Sequence, residues 1–195
     1  MSEKELEERV MLNKEQFLEI EKYFQENFSH LKIIHQKNRY FDDKNHTIEK
    51  LKNVLRIRSF ENGQEREFTY KIKGDNGDIE YNQTLSHYWF YQITRKSHLP
   101  LGAIKQKLIE DGVDINSLKS LVDLLTRRIE IEKEDYTIVL DANLYNGISD
   151  YNLEIESKKS KEHAKKIILD LCEKFNLKYS EHYLSKSARA FSSIK

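Results

Sequence analysis

The stretch Glu5-Leu6-Glu7-Glu8-Arg9, close to the start of the chain, decides how the fold is interpreted. In a β-strand successive side chains point to opposite faces, so Glu5, Glu7 and Arg9 share one face and Glu8 is expected to point the other way. Buried charge is costly unless it is paired or coordinates a metal, so the shared face meets water or lines a polar cavity. On these five residues alone, an edge strand with a solvated face is the simpler interpretation.

The same alternation recurs on four later stretches, where charged residues again occupy every second position between largely apolar neighbours. These residues are Arg56 and Arg58, Lys71 and Lys73, Arg128, Glu130 and Glu132, and Glu154 and Glu156. An antiparallel sheet with one solvated face gives the same pattern, so alternation alone does not establish a cavity. The sign of the charge is more informative, because whole strands are basic in the middle of the sequence and others are acidic near its two ends.

A sheet closed into a barrel would turn these charged faces towards one lumen and the apolar faces outwards, under helices. Such a lumen is stable only if it holds water, ions or a charged ligand. Several Arg and Lys side chains together favour a polyanion, and Arg matches phosphate oxygens with two parallel hydrogen bonds. Carboxylate clusters favour a hard divalent cation. A polyphosphate with Mg²⁺ or Mn²⁺ satisfies both requirements.

The rest of the chain predicts helices that flank the strands. Asn13 followed by Gln16 is a capping box, and apolar residues at helical spacing predict a helix over 14–28. Further helices are predicted over about 102–110, 116–126 and 160–175, the second from the spacing of Leu118, Leu121 and Leu125. The tail over 184–189 fits either a short strand or the start of a helix. Hairpins such as the one at Asn146-Gly147, together with flanking helices, predict an α+β fold.

Length and composition narrow the class of protein. The 195 residues suit one domain over 1–195, and the 33 basic and 33 acidic residues cancel. A generic nucleic-acid or anionic-membrane binder would carry a basic excess, so we expect neither. Cys172 is the single cysteine, which excludes an intramolecular disulfide and a cysteine-based zinc site. No apolar signal region or membrane-length run occurs, so we expect a cytoplasmic protein; a monomer and a homodimer both stay open.

Eight short motifs follow one another in a fixed order along nearly the whole chain. They are Glu5-Leu6-Glu7-Glu8-Arg9, Arg39-Tyr40-Phe41-Asp42, Arg56-Ile57-Arg58, Lys71-Ile72-Lys73, Arg128-Ile129-Glu130, Asp141, Glu154-Ile155-Glu156, and Lys186 with Arg189. No single motif is specific, but the ordered set resembles the CYTH, or triphosphate tunnel metalloenzyme, superfamily. The sequence looks most like the small Bacillus-type CYTH proteins, and it departs from the family at Arg9, where lysine is usual.

The resemblance implies a closed, eight-stranded antiparallel β-barrel with flanking helices, whose tunnel holds a triphosphate and Mg²⁺ or Mn²⁺. It implies catalytic roles for Glu5, Glu7 and Arg9. The implied metal ligands are Glu5, Glu7, Glu154 and Glu156, with Glu130 and Asp141 as helpers. The implied triphosphate-binding residues are Arg9, Arg56, Arg58, Lys71, Lys73, Arg128, Lys186 and Arg189.

The function expected from this resemblance is metal-dependent hydrolysis of inorganic triphosphate or of a triphosphorylated small molecule. An adenylyl cyclase of the CYTH type is an alternative, since the same tunnel could hold ATP. A non-catalytic protein that binds polyphosphate or nucleotides is a second alternative, suggested by the altered Arg9. Hydrolysis of tripolyphosphate, formation of cyclic AMP, and binding without turnover distinguish the three.

Overall fold

Nine strands, six helices and one 3₁₀ turn make up the part of the chain that the structure describes. A computed structural model describes residues 2–61, 63, 66–74 and 77–194, without the side chains of residues 2–5. The strands are β1 (Ser2–Glu5), β2 (Glu7–Leu12), β3 (Lys32–Asp42), β4 (Val54–Phe60), β5 (Arg66–Ile72), β6 (Asp78–Thr84), β7 (Lys119–Glu132), β8 (Tyr136–Tyr145) and β9 (Ile148–Ser157). The helices are α1 (Lys14–Asn27), α2 (Thr47–Lys50), α3 (His87–Lys96), α4 (Ala103–Glu110), α5 (Lys161–Lys174) and α6 (Lys186–Ser192), and the 3₁₀ turn is Ile115–Ser117.

The strands form one antiparallel sheet that is open, so the prediction of a closed eight-stranded barrel is wrong. The described sheet has nine strands in the order β1-β6-β5-β4-β3-β7-β8-β9-β2, with β1 and β2 at its two ends. In a closed barrel every strand pairs with a neighbouring strand along both of its edges. Here β1 pairs with β6 and β2 pairs with β9, and the described ladders contain no pairing between β1 and β2. The α+β class agrees with the prediction.

The opening stretch of the sequence does not form one strand, because it is divided at Leu6. The residues before Leu6 belong to β1 and the residues after it belong to β2, and the carbonyl of Leu6 accepts a hydrogen bond from the amide of Ser157 at 2.8 Å. A short N-terminal segment therefore supplies both end strands of the sheet. Glu5 lies opposite Asp78, whereas Glu7 lies opposite Glu156.

The apolar positions of the alternating strands are buried beneath helices, as the sequence predicts. Ile129, Ile131, Leu153 and Ile155 belong to one buried cluster with residues of α1 and α5. A second cluster joins apolar side chains of β4 and β5 to residues of α2, α3 and α4. Both helical layers therefore cover the face of the sheet that is opposite to the charged positions.

Local sequence signals place several elements correctly. Asn13 caps α1, and the reciprocal hydrogen bonds of the predicted capping box with Gln16 are both present. Asn146 and Gly147 join β8 to β9 in a two-residue turn in which both residues have positive φ, at 47° and 76°. This backbone conformation suits the twist of the two strands and strongly favours the Asn-Gly pair.

The predicted helix over 116–126 is wrong, because most of that segment belongs to the long strand β7. Leu118, Leu121 and Leu125 do have helical spacing, but Val122, Leu124 and Thr126 alternate as buried positions of a strand. The segment forms a strand because β7 pairs with β3 from residue 119 to residue 130. Backbone pairing over that length outweighs a weak local helical preference.

None of the helices in the described residues combines the length and the apolar character needed to cross a membrane.

Candidate functional site

The charged positions of the strands share one face of the sheet, opposite to the helical layers. Arg9 lies opposite Glu154, Glu7 opposite Glu156, and Arg128 opposite Asp141, so the register places them all on this polar face. The polar face is not solvated at its centre: Arg9 is 4% exposed, Glu154 1% and Asp141 0%. Charge buried to this extent has to be paired or bound to a ligand.

The polar face is enclosed in part by α6. Lys186, the first residue of this helix, contacts Asp141 on β8 and Glu154 on β9. Phe191, near the end of the helix, packs on the ring of Tyr40 on β3, with 5.7 Å between the ring centres. The helix therefore reaches across the polar face from β9 to β3.

Three carboxylates converge at one end of the polar face. Oxygen atoms of Glu7, Glu154 and Glu156 all lie within 4.8 Å of one another. Burial raises the pKa of Glu7, the neighbouring charges of Glu154 and Glu156 add to this effect, and Arg9 opposes it. The charged form of Glu7 is therefore less favourable at this position than in water.

These three carboxylates fit a divalent cation. Carboxylate oxygens are the hard ligands that Mg²⁺ prefers, and at a metal–oxygen distance of about 2.1 Å ligand oxygens lie roughly 3–4 Å apart. The observed limit of 4.8 Å needs only a small contraction to reach that geometry. Glu5 was predicted to complete this set, but its side chain lies outside the described residues.

Arg9 bridges two of these carboxylates. Its Nε donates to Glu154 Oε1 and its Nη2 donates to Glu7 Oε1 at 3.0 Å, while its guanidinium lies over the ring of Tyr183 at 5.3 Å. Burial lowers the pKa of Arg9, but the charges of Glu154 and Glu7 outweigh burial and raise it further above its usual range. Arg9 therefore stays charged and acts by pairing and orientation.

Arg128 and Lys186 are two further cations in contact with Glu154. Arg128 binds Asp141 through two hydrogen bonds of 2.9 and 3.0 Å and reaches Glu154 Oε2 at 3.4 Å. Lys186 donates to Asp141 and, at 2.8 Å, to Glu154 Oε2. Burial raises the pKa of Glu154, but Arg9, Lys186 and Arg128 together hold it well below its usual range.

The two predicted helper ligands lie beside the carboxylate cluster and outside it. Asp141 is held by Arg128 and Lys186, the same two cations that contact Glu154, but it does not belong to the group of three converging carboxylates. Glu130 lies 3.6 Å from Arg128 Nη1 and 3.6 Å from Lys32 Nζ. The structure therefore groups Glu7, Glu154 and Glu156 as candidate ligands and separates Asp141 and Glu130 from them.

Arg56 and Arg58 on β4 form a basic wall of the polar face. Burial lowers the pKa of Arg58 to about 10, and the nearby positive charges of Arg56 and Arg128 act in the same direction. The ion pairs of this wall are long, at 3.5 Å from Arg56 to Glu80 and 3.6 Å from Arg58 to Glu67. Cations that are crowded and loosely paired in this way are suited to a polyanion.

A buried donor without a hydrogen-bond partner supports the same interpretation of the basic wall. Arg56 Nε is buried and has no hydrogen-bond partner within the described part of the chain. A buried unpaired donor is unfavourable, so this group fits a ligand that supplies the missing acceptor.

The acidic partners of the basic strands were not predicted. Asp78 and Glu80 on β6 and Glu67 on β5 share the polar face, and Lys71 lies 3.3 Å from Asp78 and 3.8 Å from Glu80. The signal was present in the sequence, because Asp78 and Glu80 occupy alternate positions in the same way as the charged residues of the other strands. Lys73 also pairs with Asp78, at 3.0 Å, and its side chain is 61% exposed beyond the end of β5.

The tail of the chain enters the polar face as a helix. Ser185 caps α6 by accepting a hydrogen bond from the amide of Ala188, and Lys186 is the first helical residue. Arg189 is held by Asp150 through bonds of 2.7 and 3.1 Å, by Asn152 at 3.3 Å, and by the carbonyl of Leu184. Of the two predicted phosphate ligands in the tail, Lys186 reaches the carboxylate cluster and Arg189 anchors the helix.

Glu8 lies on the opposite face, as predicted, but it is buried instead of solvated. The hydroxyl of Tyr179 donates to Glu8 Oε2 at 2.7 Å, and Lys161 lies 3.8 Å away. The segment that follows α5 covers this carboxylate, and the sequence of Glu5 to Arg9 alone could not reveal that contact.

A second acidic group, formed by Asp42, His46 and Glu49, is occupied by the backbone. Oxygens of Asp42 accept hydrogen bonds from the amides of Asp43, Ile48 and Glu49 at 2.8–3.0 Å. Its carboxylate therefore fixes the turn around α2.

The fold and the polar face together define the class of protein. A model of the CYTH domain family matches residues 3–189, so the chain belongs to the CYTH domain family. This confirms the resemblance drawn from the ordered motifs. The matched range includes the three candidate metal ligands and the basic wall.

Individual relatives agree with this assignment. "Putative triphosphatase YjbK" of Bacillus subtilis is 31% identical over 153 residues, which is 78% of this chain and 77% of that protein. A crystal structure described as a "putative adenylate cyclase" from Bacillus halodurans has a TM-score of 0.86 at 30% identity, covering 97% of this chain and 98% of that one. A Hippeastrum protein described as a "putative adenylyl cyclase" with a dominant triphosphatase activity has a TM-score of 0.79 at 19% identity, covering 96% and 95%, and shows the shared fold.

Proposed function

We propose that this protein hydrolyses a triphosphate, either inorganic triphosphate or a triphosphorylated small molecule, with the help of Mg²⁺ or Mn²⁺. The observation that carries the proposal is the convergence of Glu7, Glu154 and Glu156 on the same enclosed face as Arg56 and Arg58. Three carboxylates and a loosely paired basic wall match the two halves of a metal–triphosphate complex. The relative at 31% identity that is described as a triphosphatase supports the same reaction.

In this proposal, different side chains of the polar face bind the cation and the phosphate groups. Glu7, Glu154 and Glu156 hold the divalent cation, together with Glu5. When bound there, such a cation polarises a phosphoryl oxygen and orients water. Arg56 and Arg58 bind nonbridging oxygens, and their burial strengthens each of these hydrogen bonds because water is excluded.

The remaining cations order the carboxylates and the phosphate chain. Arg128, fixed by two bonds to Asp141, also reaches Glu154 through Nη2 and Glu156 through Nη1. Lys71 extends the basic wall towards β6. Arg9 keeps its charge throughout, so it orients groups and transfers no proton.

The test is release of phosphate from tripolyphosphate, ATP and thiamine triphosphate, with and without Mg²⁺ or Mn²⁺. Glu156→Gln is the sharpest variant, because Glu156 is partly exposed and its replacement leaves the buried pairs of Glu154 in place. Since groups that merely support metal ligands typically matter about 10–100-fold, we expect the metal-dependent rate to fall by at least about a hundredfold. Glu132→Gln is the matched control, because Glu132 is exposed on the same face, and it should retain the wild-type rate. Equal rates in wild type and Glu156→Gln would refute the proposal.

A second candidate function is cyclisation of ATP, favoured by the Bacillus halodurans structure at 30% identity. The products separate the two reactions, because a cyclase yields cyclic AMP with pyrophosphate and a triphosphatase yields orthophosphate. Calorimetry that shows tight binding of tripolyphosphate with no turnover under either metal would instead support a non-catalytic binding protein.

A further inference from the structure

A chain of buried polar side chains crosses β7, β8 and β9 beside the carboxylate cluster. Thr126 Oγ1 donates to Asn143 Oδ1 at 2.8 Å, and Asn143 Nδ2 donates to Asp150 at 2.9 Å and to Asn152 Oδ1 at 3.0 Å. Thr126, Asn143 and Asn152 are all buried, with exposed fractions of at most 3%. Burial of so many polar groups is energetically unfavourable, and the proposed reaction does not by itself require it.

The orientation of the Asn152 amide is fixed by its neighbours. Its Oδ1 accepts from Asn143 Nδ2 and from Arg189 Nη2, the latter at 3.3 Å. Exchanging the amide oxygen and nitrogen would place a donor against these two donors, so the exchanged orientation is unfavourable. The Nδ2 group of Asn152 is therefore held in one direction, and within the described residues it has no hydrogen-bond partner.

A second orphaned donor lies next to Asn152. Arg9 Nη1 is buried and likewise has no partner among the described residues. Asn152 lies opposite Met11, and Arg9 is two residues before Met11 on the same strand, so Arg9 and Asn152 are diagonal neighbours across β2 and β9. Side chains in this relation are about 7 Å apart at their base and can contact one small ligand.

Arg9 lines a cavity of about 370 Å³ between β2 and the segment before α6. Arg9, Lys178, His182 and Arg189 are among its lining residues, and in the described part of the chain its lining includes no carboxylate. Positive charge, including the unpartnered Nη1 of Arg9, therefore faces an open volume on this side of the polar face.

We propose that Asn152 Nδ2 and Arg9 Nη1 form a subsite for a tetrahedral oxyanion, which is a phosphoryl group at one end of the bound triphosphate. This inference rests on the proposed function. Asn152 contributes a neutral donor whose direction is set by Asn143 and Arg189, which both donate to its Oδ1. A neutral donor beside Glu154 adds hydrogen bonding to phosphate without adding a further cation to compete for the carboxylates.

The test is calorimetric titration of inorganic phosphate and of tripolyphosphate into the full chain, in the presence of Ca²⁺ as a hard divalent probe. Asn152→Leu is nearly isosteric and uncharged, and Asn143 Nδ2 and Arg189 Nη2 both keep their bonds to Asp150. Because hydrogen bonds to charged groups are stronger than average, we expect the variant to bind both anions about tenfold more weakly or worse. Binding of phosphate as tight as that of the wild type would overturn the subsite.

Thr126→Val is the matched control, because it also replaces a buried polar side chain of this hydrogen-bonded series but leaves the Asn152 donor in place. It should weaken phosphate binding by less than about threefold, and an equal loss in both variants would show a general packing defect and overturn the proposal. If Asn152→Leu does not fold, wild-type crystals soaked in phosphate decide the question. A phosphate oxygen within hydrogen-bond distance of Asn152 Nδ2 supports the subsite, and water there with phosphate elsewhere overturns it.

The two measurements test the subsite and the proposed function separately. Absence of triphosphate hydrolysis in the wild type would remove the proposed function while phosphate binding still tests Asn152. Unchanged phosphate binding in Asn152→Leu would remove the subsite while hydrolysis stands.

Discussion

Replacement of Asp150 by asparagine should loosen the helix that closes the polar face. Asp150 accepts four hydrogen bonds, from Arg189 Nε at 2.7 Å, Arg189 Nη2 at 3.1 Å, Tyr145 Oη at 2.6 Å and Asn143 Nδ2 at 2.9 Å. The introduced asparagine would keep one acceptor oxygen, but its amide nitrogen would face donors. The replacement also leaves the guanidinium of Arg189 without its counter-charge.

The magnitude follows from the burial of this ion pair. The Asp150 and Arg189 side chains are 15% and 11% exposed, so solvent screens the pair only partly. Removing one partner of a fully buried pair costs about 3–5 kcal/mol, and the residual exposure together with the retained acceptor lowers this to about 2–3 kcal/mol. For a chain of this length, the melting temperature should fall by roughly 4–12 °C.

The same pair predicts how the loss depends on pH. Burial raises the pKa of Asp150, but Arg189 and Tyr145 outweigh burial and hold it below its usual range. A carboxyl group with a depressed folded-state pKa stabilises the protein fully above its unfolded pKa of about 4, and this contribution is lost as pH falls through the folded pKa. The difference in stability between wild type and Asp150→Asn should therefore be largest near neutral pH and shrink below about pH 4.

Urea unfolding of both proteins between pH 7 and pH 3 measures this difference directly. Acid titrates many other carboxyl groups, but these are common to the two proteins and cancel in the comparison. A difference that stays constant with pH, or that grows in acid, would refute the assignment of Asp150 as the charged anchor of α6.

Two further substitutions test the site and the core. Arg9→Lys should lower the free energy of unfolding in urea by about 1–2 kcal/mol, because an ammonium group cannot keep both the Glu154 and the Glu7 bond in the present geometry; unchanged stability would contradict this account of Arg9. Ile168→Ala, within the fully buried cluster between α5 and the sheet, should cost about 2–5 kcal/mol in the same measurement and leave the rate per folded molecule unaltered; a cost below about 1 kcal/mol would contradict its core position.

The candidate site was largely predictable because alternation decides which face a residue occupies, whatever the order of the strands. Glu7, Glu154 and Glu156 were assigned to a charged face from their spacing, and the register brings them together. The ordered motifs also identified the family, which the match over residues 3–189 confirms.

Features that depend on distant pairing were not predictable in the same way. Closure of the sheet depends on whether the N-terminal segment pairs on both edges, and the break at Leu6 has no signal in the local pattern. The strand over residues 119–126 has apolar residues that satisfy helical spacing, and only its pairing with β3 decides the outcome. The insertion of α6 depends on the contact between Asp150 and Arg189, which lie 39 residues apart.

The distribution of positive charge explains where added charge is best accommodated. The cationic side chains of Arg9, Arg128 and Lys186 all contact Glu154, and they hold its pKa low, whereas the pKa of Glu7 is raised. Glu154 is thus held by three cations of the protein, whereas Glu7 contacts Arg9. A divalent cation that entered the cluster would have to compete with the protein's own cations for Glu154. We therefore expect binding of a metal at Glu154 to be coupled to rearrangement of the surrounding ion pairs, since a carboxylate has a limited number of lone pairs to share.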